Sequence, residues 1–156
     1  MQSHSNQVIL LVEDNPNDEE LTRLAFEQNR ITNPIIVAHD GVEALDYIFG
    51  QGLYEGRDIF EQPQVVILDL KLPKISGLEV LKTLREDSRT DCIPIVVLTS
   101  SKEDEDLIRA YKLGTNAYVQ KPVDFVQFTE AVKQLGLFWL LLNEPAPSGS
   151  GAVRKP

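Results

Sequence analysis

The chain has 156 residues, 42% of them hydrophobic, which suits one domain with a real core and is too apolar for a disordered polymer. A formal net charge of −9 argues against a general attraction to nucleic acid or anionic membrane. One cysteine, Cys92, provides neither an internal disulfide nor a zinc cluster and fits a reducing cytoplasm, while the polar start "MQSHSNQ" lacks the regions of a signal peptide.

After a short polar leader (1–6), five apolar runs of strand length follow in order: residues 8–12 ("VILLV"), Ile35–Ala38, residues 65–68 ("VVIL"), residues 95–98 ("IVVL") and Ala117–Gln120. The first four are continuous rather than alternating and rich in Val and Ile, as strands covered on both faces are. Segments of helical period lie between them. In "NDEELTRLAFEQ" (17–28) Leu21, Leu24 and Ala25 share one face; Gly41–Phe49 is similar, and Gly77–Glu86 carries Val80, Leu81 and Leu84. A fourth helix is predicted over 102–112, through Leu107, Ile108 and Tyr111, stopping before Gly114. Asp124 is a good N-cap for a fifth, through Phe128, Ala131, Val132, Leu135 and Trp139.

Five strands alternating with five helices predict an α/β fold: a parallel sheet of order 2-1-3-4-5 with helices on both faces, flavodoxin-like. The loop 50–63 is longer than most connections in this class and is expected to hold local structure, with Arg57 a candidate for facing a partner or the site. Residues 1–143 read as the folded domain; 144–156, rich in Pro, Gly and Ser, read as a flexible tail.

Ligands of open parallel sheets bind beyond the carboxyl ends of the strands, where the strand order reverses. Here strand 1 ends in Glu13-Asp14, strand 3 in Asp69, strand 4 in Thr99, and strand 5 runs into Lys121-Pro122. One mouth would gather three carboxylates, a hydroxyl and an ammonium. Clustered carboxylates repel unless a cation intervenes, and an oxygen-only ligand set favours a hard ion such as Mg2+. Asp69 is then expected to be a nucleophile that accepts a phosphoryl group. Asp14 and Asp69 would hold the magnesium, with Glu13 acting mostly through water. Lys121 would contact one phosphoryl oxygen and the Thr99 hydroxyl would donate to another.

Taken in register, "VEDN", "VVILDLKLPKISG", "IVVLTSS" and "AYVQKP" resemble the receiver domain of two-component response regulators, over roughly residues 8–142. The resemblance implies phosphorylation of Asp69 by a histidine kinase, with Mg2+ bound by Glu13, Asp14, Asp69 and the backbone carbonyl of Lys71. It also implies a cis bond at Lys121-Pro122. Tyr118 would turn inward as Thr99 moves toward the phosphate, and the response would appear on the face of the fourth predicted helix, strand 5 and the fifth helix. The insert "GLYEGRDIFEQPQ", the wording "LDLKLPKISGLEVL" and the apolar end of the last helix are similar to single-domain regulators that partner cyanobacterial phytochromes.

That apolar end, "QLGLFWLLLN", exceeds the single stripe a surface helix needs and is too short to span a bilayer. It predicts a homodimer through the same face, with Leu137, Phe138, Trp139 and Leu140 in or near the seam. The expected function is a cytoplasmic phosphoacceptor switch rather than a turnover enzyme. The alternative is a haloacid-dehalogenase-type aspartyl-phosphate phosphatase, which needs an acid two residues after the nucleophile, where this chain has Lys71. A nucleotide carrier would need a Gly- or Ser/Thr-rich cradle after strand 1, whereas "EDNPND" is acidic.

Overall fold

Ile9–Val12 (β1) and the first four residues of Val65–Asp69 (β3) have no solvent exposure at all, so the middle of the molecule is hydrocarbon on both sides of the sheet. The computed structural model describes residues 8–28, 30–99, 117–120 and 124–134. Within them the remaining elements are α1 (Pro16–Gln28), β2 (Ile35–Ala38), α2 (Gly41–Phe49), a 3-10 turn (Gly52–Tyr54), α3 (Gly77–Glu86), β4 (Ile95–Thr99), β5 (Ala117–Gln120) and α4 (Phe125–Gln134). All five strands are parallel, in the order β2-β1-β3-β4-β5 expected from the alternation. The helix expected over 102–112 lies outside the described residues, so α4 corresponds to the fifth helix of the sequence reading.

Side-chain parity divides the core in two, because successive residues of a strand point to opposite faces. Ile9, Leu11, Val65, Ile67, Val96 and Leu98 pack on one side with Phe26 of α1 and Phe128 of α4, whose rings lie 4.5 Å apart between centroids. Leu10, Val12, Val66, Leu68, Ile95 and Val97 pack on the other with Ala44 and Ile48 of α2 and Val80, Leu81 and Leu84 of α3. Full burial of such a side chain stabilises by roughly 1.5–3 kcal/mol, against about 0–1 kcal/mol for exposed ion pairs such as Arg23–Glu19. Stability therefore resides in the two hydrocarbon layers.

Helix starts follow local chemistry. Asn15 Oδ1 accepts from the backbone N–H groups of Asn17 and Asp18 at 2.8 and 3.1 Å, and Pro16, which has no N–H to leave unsatisfied, takes the first helical position of α1. Asp40 caps α2 through Glu43 N (2.8 Å), Ser76 caps α3 through Glu79 N (3.2 Å), and Asp124 caps α4 through Gln127 N (2.9 Å).

The long loop after α2 is stapled by Arg57. Its guanidinium donates to the carbonyls of Tyr47 (2.6 Å) and Ile48 (3.1 Å) at the end of α2 and to that of Glu61 (2.6 Å) in the loop. It also lies 4.1 Å from the Tyr47 ring centroid, and Tyr54 meets the same ring edge-on. At this helix end Gly50 N–H also reaches Tyr47 O (3.4 Å) and Gln62 Nε2 donates to Ile48 O (3.1 Å), and the guanidinium adds charge-assisted donors that favour the negative end of the helix dipole. Arg57 is thus a structural clasp on α2, not a group turned toward a partner or the site.

Two measurements test this assignment of stability. Ile67→Ala should cost about 2–5 kcal/mol in urea unfolding, while Leu53→Ser, at a position 92% exposed, should change it by less than about 0.5 kcal/mol. Arg57→Lys should lose most of what Arg57→Ala loses, because an ammonium cannot reproduce the planar fork.

Candidate functional site

Register brings the acids together. Val12 pairs with Leu68, so the residues that follow, Glu13 and Asp69, emerge side by side where β1 and β3 meet. This is the reversal point of the strand order, since β2 lies on one side of β1 and β3 on the other. The strand ladders run slightly further than the apolar runs: Asp69 is itself the last residue of β3, paired with Leu98, and Thr99 is the last of β4, paired with Gln120. Glu13 is fully buried, Asp69 is 4% exposed and Asp14 faces solvent. One carboxylate oxygen from each of the three lies within 4.8 Å of the others.

Backbone N–H groups orient two of these acids. Asn15 N donates to Glu13 Oε2 at 3.2 Å and Lys71 N to Asp69 Oδ1 at 3.1 Å. An open cleft of about 480 Å3 lies beside them, lined by Asp14, Lys71, Pro73 and Ser76 among others. An all-oxygen set of this density, half-buried and open on one side, fits a hard divalent cation that keeps part of its water shell. Glu13, Asp14 and Asp69 are the residues that would hold it.

The segment between β3 and α3 is gripped at both ends by glycines. At Gly77, a Cβ would lie 2.1 Å from the Asp69 carbonyl oxygen and 2.6 Å from Leu70 Cα, and its N–H donates to Leu70 O at 3.0 Å. At Gly41, in the first turn of α2, a Cβ would lie 2.1 Å from the carbonyl oxygen of Ile75. Between them Lys74 adopts a left-handed conformation (φ 67°), which side chains other than glycine rarely take. Its ammonium stands 3.3 Å from Asp40 Oδ2, while the other oxygen of Asp40 caps α2. Hydrogen bonding from Glu43 N, and then the Lys74 charge, hold the Asp40 carboxyl below its ordinary range against partial desolvation.

Residues 9–133 match the family model of the response regulator receiver domain. The chain belongs to that family. Among curated proteins it is 42% identical over 144 residues to the probable methanogenesis regulatory protein FilR2 of Methanothrix harundinacea, covering 90% of this chain and 89% of that one. It is 34% identical over 139 residues to response regulator Rcp1 of Synechocystis, covering 89% and 92%. The solved Mn2+-bound form of Rcp1 superposes with a TM-score of 0.71 over 90% of this receiver and 99% of that chain. The bacteriophytochrome response regulator AtBRR is 54% identical with a TM-score of 0.79, over 88% and 98%. Phytochrome response regulators are therefore among the close relatives of this receiver.

Of the expected site residues, Glu13, Asp14, Asp69 and Lys71 gather at one mouth. Thr99 and Tyr118 are placed by backbone register on β4 and β5, with Tyr118 paired to Val97. Lys121, Pro122, Leu137, Phe138, Trp139 and Leu140 lie outside the described residues. Sequence reasoning missed the Asp40–Lys74 pair and the two glycine contacts. One signal was available: "DGVEAL" and "SGLEVL" each put glycine directly after a capping residue, where Ala would make a better helix.

Relief of carboxylate repulsion is measurable. Asp14→Asn should raise the unfolding midpoint of the metal-free protein. In wild type, Mg2+ at about 100 times its dissociation constant should add about 2.7 kcal/mol, and Asp14→Asn should lose most of that gain. Equal Mg2+ stabilisation of both proteins in thermal melts would place the cation elsewhere.

Proposed function

We propose that this receiver is a response regulator that accepts a phosphoryl group on Asp69 from a histidine kinase, with Mg2+ required. The observation that carries the reading is the convergence of Glu13, Asp14 and Asp69 within 4.8 Å at the reversal point of the sheet. In the reaction, an Asp69 carboxylate oxygen bonds to phosphorus as the bond from phosphorus to the donor's imidazole nitrogen breaks. The electron pair of that bond stays on the ring. Catalysis of such a transfer is mostly positioning and charge stabilisation. A bound Mg2+ would supply the positive charge that lets an anionic donor approach these acids.

The chain's own residues divide the remaining tasks. Asp14, Asp69 and the Lys71 carbonyl would hold the ion directly and Glu13 mostly through water. The Lys71 N–H, already 3.1 Å from Asp69 Oδ1, keeps that carboxylate oriented. Thr99 and Lys121 would contact the phosphoryl oxygens, each such hydrogen bond contributing roughly 1.5–3 kcal/mol. Thr99 closing on the phosphate, with Tyr118 following and Lys121-Pro122 cis, would carry the change to the face formed by the 102–112 segment, β5 and the last helix.

Two features extend the reading. Kinship with AtBRR and Rcp1 supports a phytochrome-type kinase as the donor. The apolar run containing Leu137, Phe138, Trp139 and Leu140 supports a homodimer through the same face, in a cytoplasmic protein whose domain is 1–143 and whose tail is 144–156. No helix among the described residues is long and apolar enough to cross a membrane. The receiver is not a general phosphatase on this reading, since the position two residues past Asp69 is Lys71 and no acid stands there to protonate a leaving group.

Incubation with Mg2+ and acetyl phosphate should give one acid-stable, base-labile adduct by intact mass, absent in Asp69→Asn and absent when Mg2+ is chelated. Labelling of Asp69→Asn to the wild-type level, or sustained turnover of many phosphate esters, would defeat the proposal. Deletion after Leu135 should convert the dimer to a monomer or an insoluble chain; a monomeric wild type in sedimentation would remove the dimer.

A further inference from the structure

Among the described residues, the first turn of α2 is a neighbour of the β3–α3 loop that the phosphoacceptor chemistry does not use. Three observations describe the contact. Asp40 and Lys74 form an ion pair at 3.3 Å across it. Gly41 approaches the loop backbone so closely that a methyl group would overlap the Ile75 carbonyl. Lys74 itself holds a left-handed backbone, a conformation that persists where the surroundings over-determine it. The same Asp40 carboxylate caps α2, so helix start and loop are tied through one side chain.

We infer that Asp40, Gly41 and Lys74 form a positioning clamp, in which the start of α2 sets the placement of the Lys71 segment against Asp69 and so tunes the affinity of the acidic site for a divalent cation. The clamp rests on the metal-site reading given above. None of its three residues is among the acids of the site. They act through the loop: Lys71, whose N–H bonds Asp69 Oδ1, lies three residues before Lys74 on the same short segment. Residues that hold ligands in place without touching the metal commonly matter about 10–100-fold in affinity.

Charge alone makes the opposite forecast for one variant, which makes the test decisive. Lys74 is a cation near a cation site, so removing it by simple electrostatics should tighten metal binding. If the clamp positions the loop, removing it should weaken binding. Gly41→Ala alters no charge and touches no acid of the site, so it reports position only.

Calorimetric titration of the full chain with Mn2+ as the probe should show roughly ten-fold weaker binding in Gly41→Ala. Lys74→Met should bind about two- to five-fold more weakly, as the loss of one partly exposed pair allows, while Lys74→Arg should stay near wild type. Circular dichroism and urea midpoints show which variants are folded; should Gly41→Ala fail to fold, the Lys74→Met and Lys74→Arg comparison decides alone. Unchanged or tighter binding in folded Gly41→Ala or in Lys74→Met, with normal binding in wild type, overturns the clamp and leaves the metal site standing. Absence of Mn2+ binding in wild type overturns the metal site, and the clamp with it.

Discussion

Three carboxylates meet where β1 and β3 end, one oxygen of each within 4.8 Å of the others and two of the groups withdrawn from water, and like charges gathered so closely repel. The hydrocarbon layers beneath them supply the stability that lets such a cluster persist. Such an arrangement makes the end of β3 respond strongly to any positive charge that enters the mouth. The geometry that would weaken an ordinary surface is what the proposed phosphoacceptor chemistry would draw on.

Tolerating such a cluster requires a rigid frame, and the frame is built largely from backbone. The carbonyls of Asp69 and Ile75 each meet a glycine where no side chain would fit, and the N–H groups of Asn15 and Lys71 are committed to carboxylate oxygens. Loops usually carry function because they tolerate change. This loop is the reverse case, held from above by α2 and from behind by α3.

The sheet was legible because strands buried on both faces show themselves as unbroken runs of Val, Ile and Leu, and β1 and β3 are such runs. The gathering of Glu13, Asp14 and Asp69 followed from strand order together with their place at strand ends. What stayed hidden depends on pairs distant in sequence or on carbonyls, which every residue carries alike. Lys74 and Asp40 are 34 positions apart, and nothing in either residue type announces the other. Arg57 read as a candidate for facing a partner or the site because the carbonyls it bonds, those of Tyr47, Ile48 and Glu61, are marked by no sequence pattern. Strand ends at Asp69 and Thr99, one residue beyond the apolar runs, reflect hydrogen bonding that continues after hydrophobicity stops.

The parity of β3 has a consequence for how such a chain can vary in length. Val65 and Ile67 feed one hydrocarbon layer, Val66 and Leu68 the other, and Asp69 takes its direction from the same alternation. A single residue added or lost within the paired stretch 65–68 would put the strand residues downstream of it on the opposite faces and turn Asp69 away from Glu13. Two residues would restore the direction and instead slide the carboxylate along its neighbours by nearly 7 Å. A point substitution in this strand disturbs one site in one layer, whereas a change of length disturbs both layers and the carboxylate together.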